Sequence, residues 1–104
     1  MNNYKKLKPG SIFAAQIYCN QYGGTRLVIV IDTAPGTVTV VPVRTSNLHR
    51  SSTKTLIVPK DESAVGRKLS IDCGTIITIR KNALLRQVGM ITDGNIEKIK
   101  GKLN

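Results

Sequence analysis

Few residues of this chain carry chemistry that is useful by itself. Its one histidine, His49, lies in the polar, basic stretch Asn47 to Ser52, four residues after Thr45 and beside Arg50. An imidazole there could act as a general acid or base, although a lone histidine in a basic loop is more often simply solvated. Thr45 and Ser46 fall at the end of a strand-like segment, where side chains can face an open site. Arg26 opens an apolar run, and by itself a strand-end arginine snorkels to solvent. Cys19 and Cys73 are the only cysteines. Neither sits in a Cys-x-x-Cys pair or beside a histidine at ligand spacing, so a structural zinc site is not expected. The sequence has no P-loop, no His-Glu-x-x-His, no Gly-x-Ser-x-Gly, and no acidic cluster of the kind that two-metal phosphoryl chemistry needs.

The charge balance points to a class of partner. Lysine and arginine number 16 against 6 aspartate and glutamate, a formal net charge of +10 over 104 residues, and the cations run from Lys5 to Lys102 rather than forming one tail. A polyanionic partner is the natural inference; the alternative is that the charge only keeps a small protein soluble. Aromatic residues make up 4% of the chain, too few for a base-stacking sheet. The longest apolar run, Leu27 to Ile31, is far below the ~20 residues of a membrane-spanning helix, and no signal-peptide pattern opens the chain. We therefore expect a cytoplasmic protein with reduced thiols and no membrane association.

The elements that position these residues can be read from the punctuation. One domain over residues 1–104 is expected, because the chain is too short for two cores. Lys8-Pro9-Gly10 is a turn, followed by a strand from Ser11 to Tyr18. Asn20 to Thr25, with Gly23-Gly24, reads as a flexible loop whose glycines allow positive φ and close approach of backbone to a ligand. Arg26 to Thr33 and Thr37 to Arg44 form a central hairpin across Ala34-Pro35-Gly36, and Pro42 must sit where the second strand reaches an edge or a bulge. A short strand Thr53 to Val58, a charged loop Lys60 to Lys68, and a strand Ser70 to Thr78 bulged at Gly74 follow. Arg80 to Leu84 suggests one helical turn, and Leu85 to Ile91 is open between helix and strand. Thr92 then caps a C-terminal helix with Asp93 in its first turn, an Ile91–Ile96 staple, and a buried stripe of Ile96, Ile99 and Leu103. Lys98, Lys100 and Lys102 lie on its other faces.

In that order the segments resemble the MazF/PemK/Kid family of toxins from type II toxin–antitoxin systems, over Lys8 to Leu103. Lys8-Pro9-Gly10-Ser11-Ile12 is similar to the family's opening Pro/Arg-Gly-Asp-Ile/Val. Gly23-Gly24-Thr25-Arg26-Leu27-Val28-Ile29-Val30-Ile31 is similar to its Gly-Gly-x-Arg-Pro-Val-Leu-Val-Ile. Val41-Pro42-Val43-Arg44-Thr45-Ser46 is similar to its Val-Pro-Ile-Thr-Ser, and Thr78-Ile79 with Lys81 to Leu85 resembles its Arg-Thr-Ile plus short helix.

The resemblance implies a mainly β fold, an SH3-like, partly open barrel of the CcdB/MazF type with a C-terminal helix. It implies a homodimer that cleaves single-stranded RNA, messenger RNA especially, at selected sequences without a metal or other cofactor, held in check by a cognate acidic antitoxin. Arg26 and Thr45 stand where the family carries its catalytic residues. Gln21, Tyr22, Gly24, Arg44, Ser46, His49, Arg50 and Thr78 are the candidate RNA contacts, with no metal ligands. The chain departs from the pattern at Gln21-Tyr22, where the family has a Glu-Gln or similar pair, at Leu27, where it has proline, and at Thr75-Ile76-Ile77, where it often has glutamine or glutamate and arginine. The other readings are a basic SH3-like barrel that binds nucleic acid without cutting it, and a family member that has lost activity. A gyrase-directed toxin of the CcdB kind is disfavoured, because those relatives need a C-terminal tryptophan and this chain has none.

Overall fold

A strand that is apolar on both faces has to be covered on both sides, and the run from Leu27 to Ile31 is such a strand. In the computed structural model, which describes residues 7–19, 22–44 and 54–103, it is the middle of β2 (Tyr22–Ala34). β2 lies between β1 (Ser11–Cys19) and β3 (Thr37–Arg44), antiparallel to both. Successive β2 residues point to opposite faces, so Val28 and Val30 join one apolar cluster with Phe13, Ile17 and Val40, while Ile29 joins another with Ile12, Val41 and Val43. The second cluster is roofed by β4 (Thr55–Val58), β5 (Leu69–Asp72) and α1 (Asp93–Leu103), through Leu56, Val58, Leu69, Ile71 and Ile99. The first is closed by Ile77 of β6 (Ile77–Arg80) and Leu84 of β7 (Leu84–Met90).

All pairings are antiparallel, in the order β4-β5-β3-β2-β1-β7, with β6 also on β3. The sheet does not close, since β4 and β7 stand at opposite ends of that order. β3 pairs with β6 from Thr37 to Val40 and with β5 at Val43 and Arg44. Pro42 falls in the gap between these two partners, where β3 has no ladder on that side, as a residue without an N–H requires.

Several local expectations need correction. Asn20 to Thr25 is not a long loop: β2 begins at Tyr22, and Gly23 and Gly24 pair with Tyr18 and Ile17. Gly24 still has φ +81°, so its expected backbone freedom is used inside a ladder. The single strand Ser70 to Thr78 is two strands. Asp72 breaks it, Oδ1 accepting from the Gly74 N–H at 3.0 Å and Oδ2 from the Thr75 hydroxyl at 2.9 Å, so Gly74 sits in a side-chain-braced turn rather than a bulge. Leu84–Met90 is a strand, preceded by a 3-10 turn at Lys81–Ala83. The C-terminal helix is as expected: Thr92 Oγ1 accepts from Asn95 N at 3.3 Å, and Ile91, Ile96, Ile99 and Leu103 pack into the core. Asn95, which the stripe omitted, is buried too, donating to Glu62 at 3.0 Å. Lys54 Nζ donates to the Lys102 carbonyl at 2.8 Å, placing a cation at the negative end of the helix.

Gly10 locks these layers together. Its N–H donates to Val30 O at 2.8 Å, its carbonyl accepts from Ile91 N at 2.9 Å, and its φ is +100°. An added Cβ would lie 2.5 Å from Ile96 Cδ1. Gly10→Ala should therefore cost about 2 kcal/mol through left-handed strain and overpacking, read as a lower urea midpoint.

Cys73, 1% exposed beneath the helix, is a free thiol. Burial pushes its pKa up from 9.0 to about 11; Lys102 and Lys54 oppose the rise and Asp72 adds to it. A raised folded-state value means that the stability this thiol contributes is complete below pH ~9 and is lost as pH climbs through about 11. In a Cys19→Ser background, alkylation of Cys73 at pH 8 should run about a hundredfold slower in the native protein than in urea.

Candidate functional site

Arg26 lies on the same face of β2 as Val28 and Val30, one step beyond the point where that face is fully covered, and is half-buried. Its neighbour across β1 is Ala15, a side chain small enough to leave room for an arginine stem. The guanidinium reaches the far end of β3, where Nη1 donates to the Val43 carbonyl at 3.2 Å, and Nε is shielded from solvent. The head group is thus anchored through Nη1.

Arg44 is the next residue along and is also half-buried. The β2–β3 ladder ends with Val28 opposite Pro42; Arg26 and Arg44 each lie two residues beyond that pair, and the Arg26 head group bonds the residue before Arg44. Arg44 makes no side-chain hydrogen bond or ion pair among the described residues. Two guanidiniums at one end of β3 concentrate positive potential, and planar forks of this kind suit a phosphate. Thr45 and Ser46 follow Arg44 directly in the chain; they, with Gln21, His49 and Arg50, lie outside the described residues.

The structure brings together some of the sequence-expected residues and separates one. The Arg26 head group reaches the residue before Arg44, and Gly24 is two residues from Arg26 on the same face of β2. Tyr22 pairs through its backbone with Cys19. Thr78 stands apart: it is on β6 opposite Thr39, whose hydroxyl is 3.4 Å from its own. Thr39 and Arg44 are five residues apart on β3, about 16 Å along a strand. Sequence reading missed Ser70, which β5 places directly opposite Arg44. Its only sequence signal is a strand-like setting, because the β3–β5 pairing is non-local. Among the described residues no three His, Cys, Asp or Glu side chains are grouped to hold a metal ion, and no helix is long and apolar enough to cross a membrane.

Residues 8–104 match the family of PemK-like, MazF-like toxins of type II toxin–antitoxin systems. The chain belongs to this family. Among solved structures it is similar to the MazF-mt6 toxin of Mycobacterium tuberculosis, at 19% identity over 92% of each chain and a TM-score of 0.70. It is similar to MazF of Deinococcus radiodurans at 14% identity, 92% of this chain and 91% of the other, and a TM-score of 0.75. It is also similar to an endoribonuclease of a mycobacterial species in complex with its cognate antitoxin, at 15% identity, 91% and 88% coverage, and a TM-score of 0.70. At these identities the likeness is one of fold, a mainly β, open CcdB/MazF-like sheet with a C-terminal helix. No curated protein matches the chain.

Neighbouring guanidiniums repel when no anion lies between them. Arg44→Gln should stabilise the protein by about 0.5 kcal/mol at low ionic strength, an effect that fades at ~1 M salt as the charges are screened; paired denaturant titrations measure both.

Proposed function

We propose that this MazF-like toxin is a metal-independent endoribonuclease that cuts single-stranded RNA, messenger RNA especially, at selected sequences. The observation that carries the reading is the placement of the Arg26 head group at the end of β3, bonded to Val43 O, with Arg44 and then Thr45-Ser46 next in the chain.

The chemistry fits such a site. In cleavage by the RNA's own 2′-hydroxyl, the 2′-oxygen loses its proton and bonds to phosphorus, the bond from phosphorus to the 5′-oxygen breaks, and the leaving oxygen takes a proton. The phosphorane between these steps carries extra charge on its non-bridging oxygens. Arg26 stabilises that charge through a fork already oriented by the Val43 carbonyl, and a donor fixed in advance has little to reorganise as charge develops. Arg44 neutralises the phosphate in both ground and transition states. Thr45, with Ser46, orients the 2′-hydroxyl or bonds the phosphate, and His49 is the imidazole the chain offers for proton transfer.

The partners follow from the charge and the family. A chain of net charge +10 calls for an acidic antitoxin, and one structural neighbour is an endoribonuclease bound to its cognate antitoxin. A homodimer in the cytoplasm completes the reading.

The wild type and the Arg26→Ala and Thr45→Ala variants are to be incubated with a long single-stranded RNA in chelator and the ends mapped. Discrete cuts by the wild type, slowed about 10²–10³-fold in each variant, are expected. Binding without cutting by the wild type overturns the enzyme reading and leaves a nucleic-acid-binding barrel.

A further inference from the structure

The strand registers lead from the end of β3 into a longer strip. Arg44 is opposite Ser70 across the β3–β5 ladder, and Ser70 is opposite Ile57 across the β5–β4 ladder. Arg44, Ser70 and Ile57 therefore form one row across three adjacent strands, next to the Val43 carbonyl that the Arg26 head group bonds. All three lie on the face turned away from the Leu56, Val58, Leu69 and Ile71 cluster. The row spans about 10 Å at the usual strand spacing.

Its chemistry changes in order along its length. The half-buried Arg44 guanidinium comes first, then a half-buried hydroxyl with no side-chain partner among the described residues, then an isoleucine that is 48% exposed on the terminal strand. A nucleotide offers the matching series, from anionic phosphate through a hydroxyl-bearing sugar to an apolar base face. Exposed isoleucine on an edge strand otherwise invites unwanted pairing. A protein segment would need its own run of acid, polar and apolar groups at this spacing, whereas RNA carries the series in every nucleotide.

We propose that this row binds a nucleotide flanking the scissile phosphate. Arg44 and Ser70 hold its phosphate and sugar, and Ile57 is the floor under its base. The inference rests on the proposed RNA cleavage and adds the direction in which the substrate leaves the site, from β2 toward the β4 edge. Ser70 and Ile57 are positioning residues that act on binding, not on the bond-making step.

The test uses the full chain, in chelator, with a short oligoribonucleotide that the wild type cuts and with copies made abasic at the nucleotide on either side of the cut. Ser70→Ala and Ile57→Ser should each raise KM about three- to tenfold and leave kcat nearly unchanged, with Ser70→Thr and Ile57→Val restoring KM. One of the two abasic substrates should raise KM for the wild type by a similar factor and have no further effect on Ile57→Ser. An unchanged KM in both variants, a loss confined to kcat, or an equal abasic penalty in the wild type and Ile57→Ser overturns the strip while cleavage stands. Should the wild type bind without cutting, the same comparison read as Kd decides the strip alone. If it binds no RNA, both readings fall.

Discussion

The fold depends on covering β2 from both sides. Val28 and Val30 on one face, and Ile29 with half-buried Leu27 and Ile31 on the other, make any single-sided arrangement costly at about 25 cal/mol per Å² of apolar surface left in water. The layers follow from that requirement: β4, β5 and α1 over one face, and the β6–β7 region over the other. Gly10 ties the layers at one corner by bonding to both Val30 and Ile91. Arg26 occupies the next position on one of these faces, where the covering runs out and a long stem can pack while its head reaches the Val43 carbonyl.

The same geometry explains how a charge-rich site is built without destabilising the core. β3 exchanges its neighbour β6 for β5 around Pro42, so the end of β3 emerges from the covered region just where Arg44 begins. The Val43 carbonyl binds Arg26 and limits the ways in which its fork can point. The high positive charge of the chain becomes locally useful here, since two guanidiniums at one end of β3 form a preference for an anion instead of a diffuse field. The buried interior, by contrast, holds its polar groups in bonded sets, such as Asn95 with Thr92 and Glu62, and Asp72 with Gly74 and Thr75.

Much of this was legible from local patterns. The β-branched run, the Ala34-Pro35-Gly36 turn, the position of Pro42 and the Thr92 cap are each written in a few adjacent residues, and the structure bears them out. The Asp72 turn was legible in principle, as an aspartate two residues before a glycine, but the apolar residues on either side suggested one continuous strand. Gly23-Gly24 read as a loop because glycine is a poor strand former, whereas pairing with Tyr18 and Ile17 continues β2 through them. Arg26 and Arg44 were visible as strand ends, but the bond from Arg26 to the carbonyl before Arg44 depends on β2 and β3 lying side by side. Ser70 and Ile57 were invisible because the strands that carry them meet β3 only through long-range pairing, and a chain pattern holds no record of which strands meet.

The most direct test of the central claim is whether the RNA's own 2′-hydroxyl is the nucleophile at a site built around Arg26. An RNA with a single 2′-deoxynucleotide at a mapped cut position is compared, in chelator, with the all-ribose strand. The account predicts cutting of the all-ribose strand to a 2′,3′-cyclic phosphate and a 5′-hydroxyl, and an intact bond in the substituted one. Cleavage at the deoxy position, or cleavage that starts only when a divalent metal ion is added, would contradict it.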